Sequence, residues 1–235
     1  MKVNRSADAP RLPDDSSLEI KVVANPFKFK NSSDNRLDSM IVETINAMGA
    51  FGDDADKNYQ KLVGQLREND KAIGVLTNEY VSFDESQYLD KWSSIELLGE
   101  IGNEKALDFL DKIASEKLPT EKSKDPHSFS TVGEEVMLRT TSIDAISKLA
   151  SRGNKRAVDS LLKHIKNENF SIKRAAVQAF IEVGGKDSLE ILRKELPKDF
   201  HYILEIQRTD VRKVPQAEGG LFLKTNDKDN LPKLK

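Results

Sequence analysis

The chain has no cysteine, and that one absence removes disulfides, thiolate metal ligands and a cysteine nucleophile from consideration. It leaves the compartment open, cytoplasmic or exported to a bacterial periplasm. Long apolar runs are also missing: nothing approaches the roughly 20 residues of a membrane span. The opening stretch, MKVNRSADAPRLPDD, lacks the apolar segment of a secretory signal. Three histidines are present, His127, His164 and His201, at no spacing that would converge on a metal. A phosphate-binding glycine loop, a nucleophile elbow and a Ser/His/Asp pattern are not found either. The expectation is a protein without cofactor or metal and without a catalytic centre.

Charge is plentiful, at 32% of residues against 37% hydrophobic, which reads as a soluble, helix-rich chain. Its net value of −2 gives no overall pull toward nucleic acid or acidic lipid. Its distribution is more informative. Residues 34–116 carry 18 acids and 8 bases, a net of −10, whereas residues 144–195 carry 7 acids and 11 bases, a net of +4. An acidic front half and a basic back half form a polarity that a partner could read.

Residues 1–33 hold three prolines and one apolar stretch, LEIKVVANPF, and read as an extended arm with a short strand near Leu18–Val23. Residues 215–235, rich in Gly, Pro, Asn and charge, read as a flexible tail. Between them, over 34–214, apolar residues recur with a period near 3.6. Leu37, Ile41, Ile45 and Met48 form one stripe; Tyr88, Trp92, Ile95 and Leu98 another; Leu189, Leu192 and Leu196 the last. Trp92 reads as a core anchor. No strand-like alternation interrupts these stripes, so the fold class is all-α.

One helix is written twice. GNEKALDFLDK at 102–112 returns as GNKRAVDSLLK at 153–163. Aligning Gly102, Gly153 and Gly184 superposes Leu98, Leu149 and Phe180 before the turn, and Leu110, Leu161 and Leu192 after it. Asn103 and Asn154 stand where a side chain can accept the free amides of an opening turn; Asp70, Asp84 and Ser171 are candidates for the same task. The glycines stand where a helix must stop, often with positive φ. The unit is a helical hairpin of about 31 residues, lengthened between the first two copies by an inserted loop at 117–133. A lone amphipathic hairpin cannot bury its apolar side, so repeated copies imply an α-solenoid of stacked hairpins sharing one core.

The stretches IKRAAVQAFIEVGGKDSLEILRKEL and MLRTTSIDAISKLASRGNKRAVDSLLKHI resemble HEAT repeats of the short class found in phycobilisome-lyase-like bacterial proteins. The resemblance covers about residues 57–200. It implies a superhelix whose second helices line a concave binding face. It says little of function, since HEAT-like proteins include scaffolds, adaptors, inhibitors, lyase subunits and DNA-repair glycosylases.

Asp108, Asp159 and Glu190 share one repeat position, and Lys112, Lys163 and Lys194 the position four residues later. Each acid–lysine pair suits a single helix, at about 0.2–0.5 kcal/mol; stacked, the pairs would form a charged ladder. The most basic stretch comprises Arg152, Lys155, Arg156, Lys163, Lys166, Lys173 and Arg174. Acids are interspersed there, and Phe170 and Phe180 fit core positions rather than stacking platforms, which disfavours nucleic acid. The expected function is a non-catalytic scaffold or adaptor that binds another protein, one with an acidic surface. The expected contacts are Lys155, Arg156, Asp159, Lys163 and Lys194 on the concave face, with His127 and Phe129 in the inserted loop. A lyase-like subunit and a DNA-binding protein are the alternatives. Oligomeric state is not legible.

Overall fold

A computed structural model describes Phe27, Phe29 and residues 34–50, 52–124 and 130–205. The predicted strand at Leu18–Val23 and the tail at 215–235 lie outside these residues. The described chain is all-α, with no strand among its residues. The helices are α1 (Asn35–Ala47), α2 (Asp53–Arg67), α3 (Ala72–Ser82), α4 (Tyr88–Ile101), α5 (Leu107–Ser115), α6 (Thr131–Ser151), α7 (Lys155–His164), α8 (Phe170–Val183) and α9 (Ser188–Glu195). A 3-10 turn, Glu104–Ala106, leads into α5, and a 3-10 segment, Lys198–Glu205, follows α9.

Local chemistry sets the boundaries. The Asn103 side chain accepts from Lys105 N at 3.0 Å, and that of Asn154 from Ala157 N at 3.1 Å, so both repeated asparagines cap as expected. The other three candidates do not. Asn169, not Ser171, opens α8, accepting from the amides of Ser171 and Ile172. Asp84 closes a local turn onto Ser86, and Asn69 rather than Asp70 takes the Lys71 amide. At Asn169 and Asn69 the acceptor stands one or two residues from the position read in the sequence, a shift periodicity cannot resolve, and α4 opens without a side-chain cap.

The glycines need one correction of the same kind. Gly102 and Gly153 adopt φ of 65° and 91°, the left-handed region in which glycine pays no Cβ penalty. In the last copy that role belongs to Gly185, at φ 75°, while Gly184 has an ordinary φ of −80°. Helix α9 keeps the register of the earlier copies at Ser188, buried in the place of Ala106 and Ala157. Leu192 is fully buried, but Leu189, expected in the core, is 38% exposed.

One continuous apolar core runs from Phe27 to Ile203. Helix α6 lies at its centre, packed on α4, α5, α7 and α8. Helix α4 also packs on α2, and α5 lies beside α7. Helices α4 and α6 approach closely at Gly99, where a Cβ would stand 2.8 Å from Ala145 Cβ. Trp92 is only partly buried, packed on the margin of the core. The end of the expected N-terminal arm packs on the core at Phe27. Phe27 is 5% exposed, edge-on to Phe83 at 5.3 Å and to Phe29 at 5.2 Å. The expected inserted loop is also shorter than 117–133, since Thr131, Val132 and Gly133 already form the first turn of α6.

Candidate functional site

Helix α5 is amphipathic. Leu107, Leu110, Ile113 and Ala114 face the core, which leaves Asp108, Asp111 and Lys112 outward. Helix α7 repeats the pattern with Ala157, Leu161 and His164 inward and Lys155, Arg156, Asp159 and Lys163 outward. Because α5 and α7 pack side by side, the acids of one meet the bases of the other. Arg156 Nη2 lies 2.6 Å from Asp108 Oδ1, and Lys163 Nζ lies 2.8 Å from Asp111 Oδ2. Only Glu190 and Lys194 keep the expected pairing within one helix, at 2.7 Å.

Asp111 is the centre of this seam, and the sequence reading missed it. Its carboxylate accepts from Ser160 Oγ at 2.5 Å, from Lys163 and from His164 Nε2 at 2.8 Å. Burial pushes its carboxyl up, but the hydrogen bonds from Lys163, Ser160 and His164 outweigh burial and hold it below the usual aspartate range. His164 is buried, with its side chain 3% exposed. Burial drives the ring's pKa below the usual histidine value, further than the Asp111 carboxylate restores it. The signal was available in Ser160, Lys163 and His164, which fall three and four residues apart on one helix face. Although Ser, His and Asp converge, Ser160 and His164 both bond to the same Asp111 oxygen. The order needed to activate a serine, with His between Ser and Asp, is not formed.

The basic stretch is largely spent inside the molecule. Arg152 donates to the carbonyls of Gly99 and Glu100, and Arg67 to those of Glu100 and Ile101, so two arginines close the C-terminal end of α4. Lys166 pairs with Glu195 at 2.8 Å. Lys173 is buried, its ammonium 3.6 Å from the centre of the Phe200 ring. Lys148, just ahead of that stretch, bridges Glu96 and Glu100 at 2.8 Å each. Phe180 is buried as expected, whereas Phe170 is 41% exposed and stacks on Tyr202.

Of the named contact residues, Arg156, Lys163 and Lys194 are therefore paired, while Lys155 and Asp159 are exposed and form no ion pair among the described residues. His127 and Phe129 lie outside the described residues. The described flanks of their loop are fastened down. Lys122 pairs with Glu85, and Glu121 accepts from the Ser130 hydroxyl and from the Thr131 and Val132 amides at the start of α6. Those bonds, led by the one from Ser130, hold the Glu121 carboxyl down to about 2. Beneath lies a polar cavity of about 170 Å³ lined by Tyr88, Lys117, Glu135 and Arg139, among others. Its groups are committed to one another. Buried Arg139 donates to the carbonyls of Glu116, Lys117 and Glu135 and to the Glu135 carboxylate. The Tyr88 hydroxyl, pushed up to about 12 by burial and nearby Glu135 and Glu134, bonds to Glu135. No group of three His, Asp or Glu among the described residues could hold a metal ion, and no described helix is long and apolar enough to cross a membrane.

No known family model matches the chain, and no curated protein matches it.

Proposed function

We propose that the chain is an α-solenoid of stacked helical hairpins, similar to HEAT repeats, that serves as a non-catalytic scaffold binding another protein along its second helices. The observation that carries this reading is the seam between α5 and α7. Its ion pairs join successive copies of the repeated helix rather than closing within one, and their side chains are 60–80% exposed for Asp108, Arg156 and Lys163. Exposed pairs of this kind add little stability, typically 0–1 kcal/mol. They do fix the positions of several charges on one ridge, which reduces the side-chain entropy a partner must remove on binding.

The pairing changes which residues a partner would read. Arg156 and Lys163 are neutralised by α5, so the groups left to recognise an acidic surface are Lys112 and Lys155, with Asp159 selecting for a base beside it. The test is capture of partners from the native cell by the wild-type chain and by Lys112→Glu/Lys155→Glu, with helix content compared by circular dichroism. Loss of a captured protein at unchanged helicity is expected. Equal capture by both forms removes this ridge as the binding face.

A further inference from the structure

The bend after α4 gathers two arginines that are far apart in the sequence. Arg67 ends α2 and Arg152 follows α6, and both helices pack on α4. Arg67 donates from Nε to the Ile101 carbonyl at 2.8 Å and from Nη2 to that of Glu100 at 2.9 Å. Arg152 donates from Nη1 to the Gly99 carbonyl at 3.4 Å and from Nη2 to the same Glu100 oxygen at 3.0 Å. One oxygen thus holds both guanidiniums side by side. Gly102 leaves the space this requires, since a Cβ there would collide with Arg152 Nη1.

Closing the helix accounts for these bonds but not for the pairing of two cations. The Gly102 amide already bonds to the Leu98 carbonyl, and a single arginine would satisfy that of Glu100. Like charges held together repel. Partial burial and the Arg67 charge press the Arg152 guanidinium below its ordinary value, and the Glu100 carboxylate only partly offsets them. Lys148 occupies the carboxylates of Glu96 and Glu100, and neither arginine forms an ion pair among the described residues. The end of α4 contributes about half a negative charge, against two full positive ones. Both side chains are exposed, and each guanidinium carries further N–H groups beyond the two bonds it makes here.

We propose that Arg67 and Arg152 form a clamp for a phosphate monoester group. A carboxylate fills the fork of one guanidinium, whereas a phosphate monoester brings several acceptor oxygens and about two negative charges, enough to bridge both. The carbonyl bonds already orient the forks, so binding removes little further side-chain freedom. The clamp lies apart from α5 and α7 and does not rest on the scaffold reading. Its ligand chemistry is shared by a phosphorylated side chain of a partner protein and by small phosphorylated molecules.

Arginine side-chain NMR spectra of the full chain, titrated at constant ionic strength with inorganic phosphate, a phosphoserine peptide and acetate, test the proposal. The Nε–H signals of Arg67 and Arg152 should shift saturably with the two phosphates, and acetate should bind about tenfold more weakly, as for loss of one charged hydrogen-bond pair. Arg67→Lys/Arg152→Lys keeps both charges and loses the forks. It should weaken phosphate binding by about tenfold at unchanged helix content, while Lys112→Gln/Lys155→Gln leaves binding as it was. Tighter binding of the peptide than of inorganic phosphate assigns the clamp to a phosphorylated partner, and binding no tighter assigns it to a small molecule. If the lysine variant does not fold, phosphate against acetate on the wild-type chain decides. No saturable shift, acetate binding equal to phosphate, or equal losses in the two double variants overturns the proposal.

Discussion

Gly99 sits where α4 and α6 come closest, and replacing it separates two opposing effects. Alanine in a helix interior is favoured over glycine by about 0.5–1 kcal/mol, because it loses less backbone freedom on folding. At Gly99 the new Cβ would lie 2.8 Å from Ala145 Cβ and 2.9 Å from Ala145 Cα. The second atom is backbone, so relief requires moving α6 rather than rotating a side chain, and overpacking of this kind costs about 1–3 kcal/mol. Gly99→Ala is therefore expected to destabilise by up to about 2.5 kcal/mol once the propensity gain is subtracted. Gly64 supplies the control: it lies within α2 and a Cβ there meets nothing within 4 Å. Gly64→Ala should stabilise by about 0.5–1 kcal/mol. Urea denaturation followed by circular dichroism reads both, and Gly99→Ala/Ala145→Gly should recover part of the loss. A Gly99→Ala protein as stable as Gly64→Ala would refute the close approach of these helices.

Removing the Asp111 carboxylate by Asp111→Ala leaves Ser160 and the buried His164 without their acceptor, and should cost about 1–3 kcal/mol in the same assay. Unchanged stability would mean the cluster is not formed in solution. Acidification should weaken the same seam. Because His164 is held below its unfolded value of 6.5, the folded state binds its proton less readily, so the neutral ring's contribution is present above pH 6.5 and is lost as pH falls below it. Asp111, also depressed, adds a further loss only below its unfolded value of 3.8. The stability difference between wild type and His164→Gln should therefore shift against wild type between pH 7.5 and 5, and parallel profiles would rule this out. Arg139→Ala should cost about 3 kcal/mol or more, since it strips the partner from Glu135 and frees the carbonyls of Glu116 and Lys117; a loss below about 1 kcal/mol would show that the guanidinium does not fasten the insert.

The apolar period of 3.6 and the echo of GNEKALDFLDK in GNKRAVDSLLK were enough to read an all-α chain with bends at Gly102 and Gly153, because both signals are local. Core identity followed wherever the copies align without a gap: Leu98, Leu110, Leu149, Leu161 and Phe180 are all buried. It failed at Leu189, 38% exposed although Ser188 and Leu192 on the same helix keep the buried register of Ala157 and Leu161. That the arm lies down at Phe27 was not legible in the sequence. Proline and serine around it describe local chain preference, while its burial depends on Phe83, 56 residues away.

The charged face shows most clearly what sequence reasoning leaves out. Spacing predicted pairs four residues apart, and an acid ahead of a lysine on one helix satisfies that rule at Asp108, Asp159 and Glu190 alike. In the folded chain α5 offers acids and α7 offers bases at the distance of neighbouring helices, and the shorter routes across the seam displace the local ones. The acidic front and basic back of the sequence are therefore in part a registration device, consumed where the two halves meet at Asp108–Arg156, Asp111–Lys163 and Glu96–Lys148–Glu100. Electrical polarity available to a partner is what remains after that neutralisation. Among the described residues, Lys112 on α5 and Lys155 and Asp159 on α7 are exposed charges that the seam leaves outside its ion pairs.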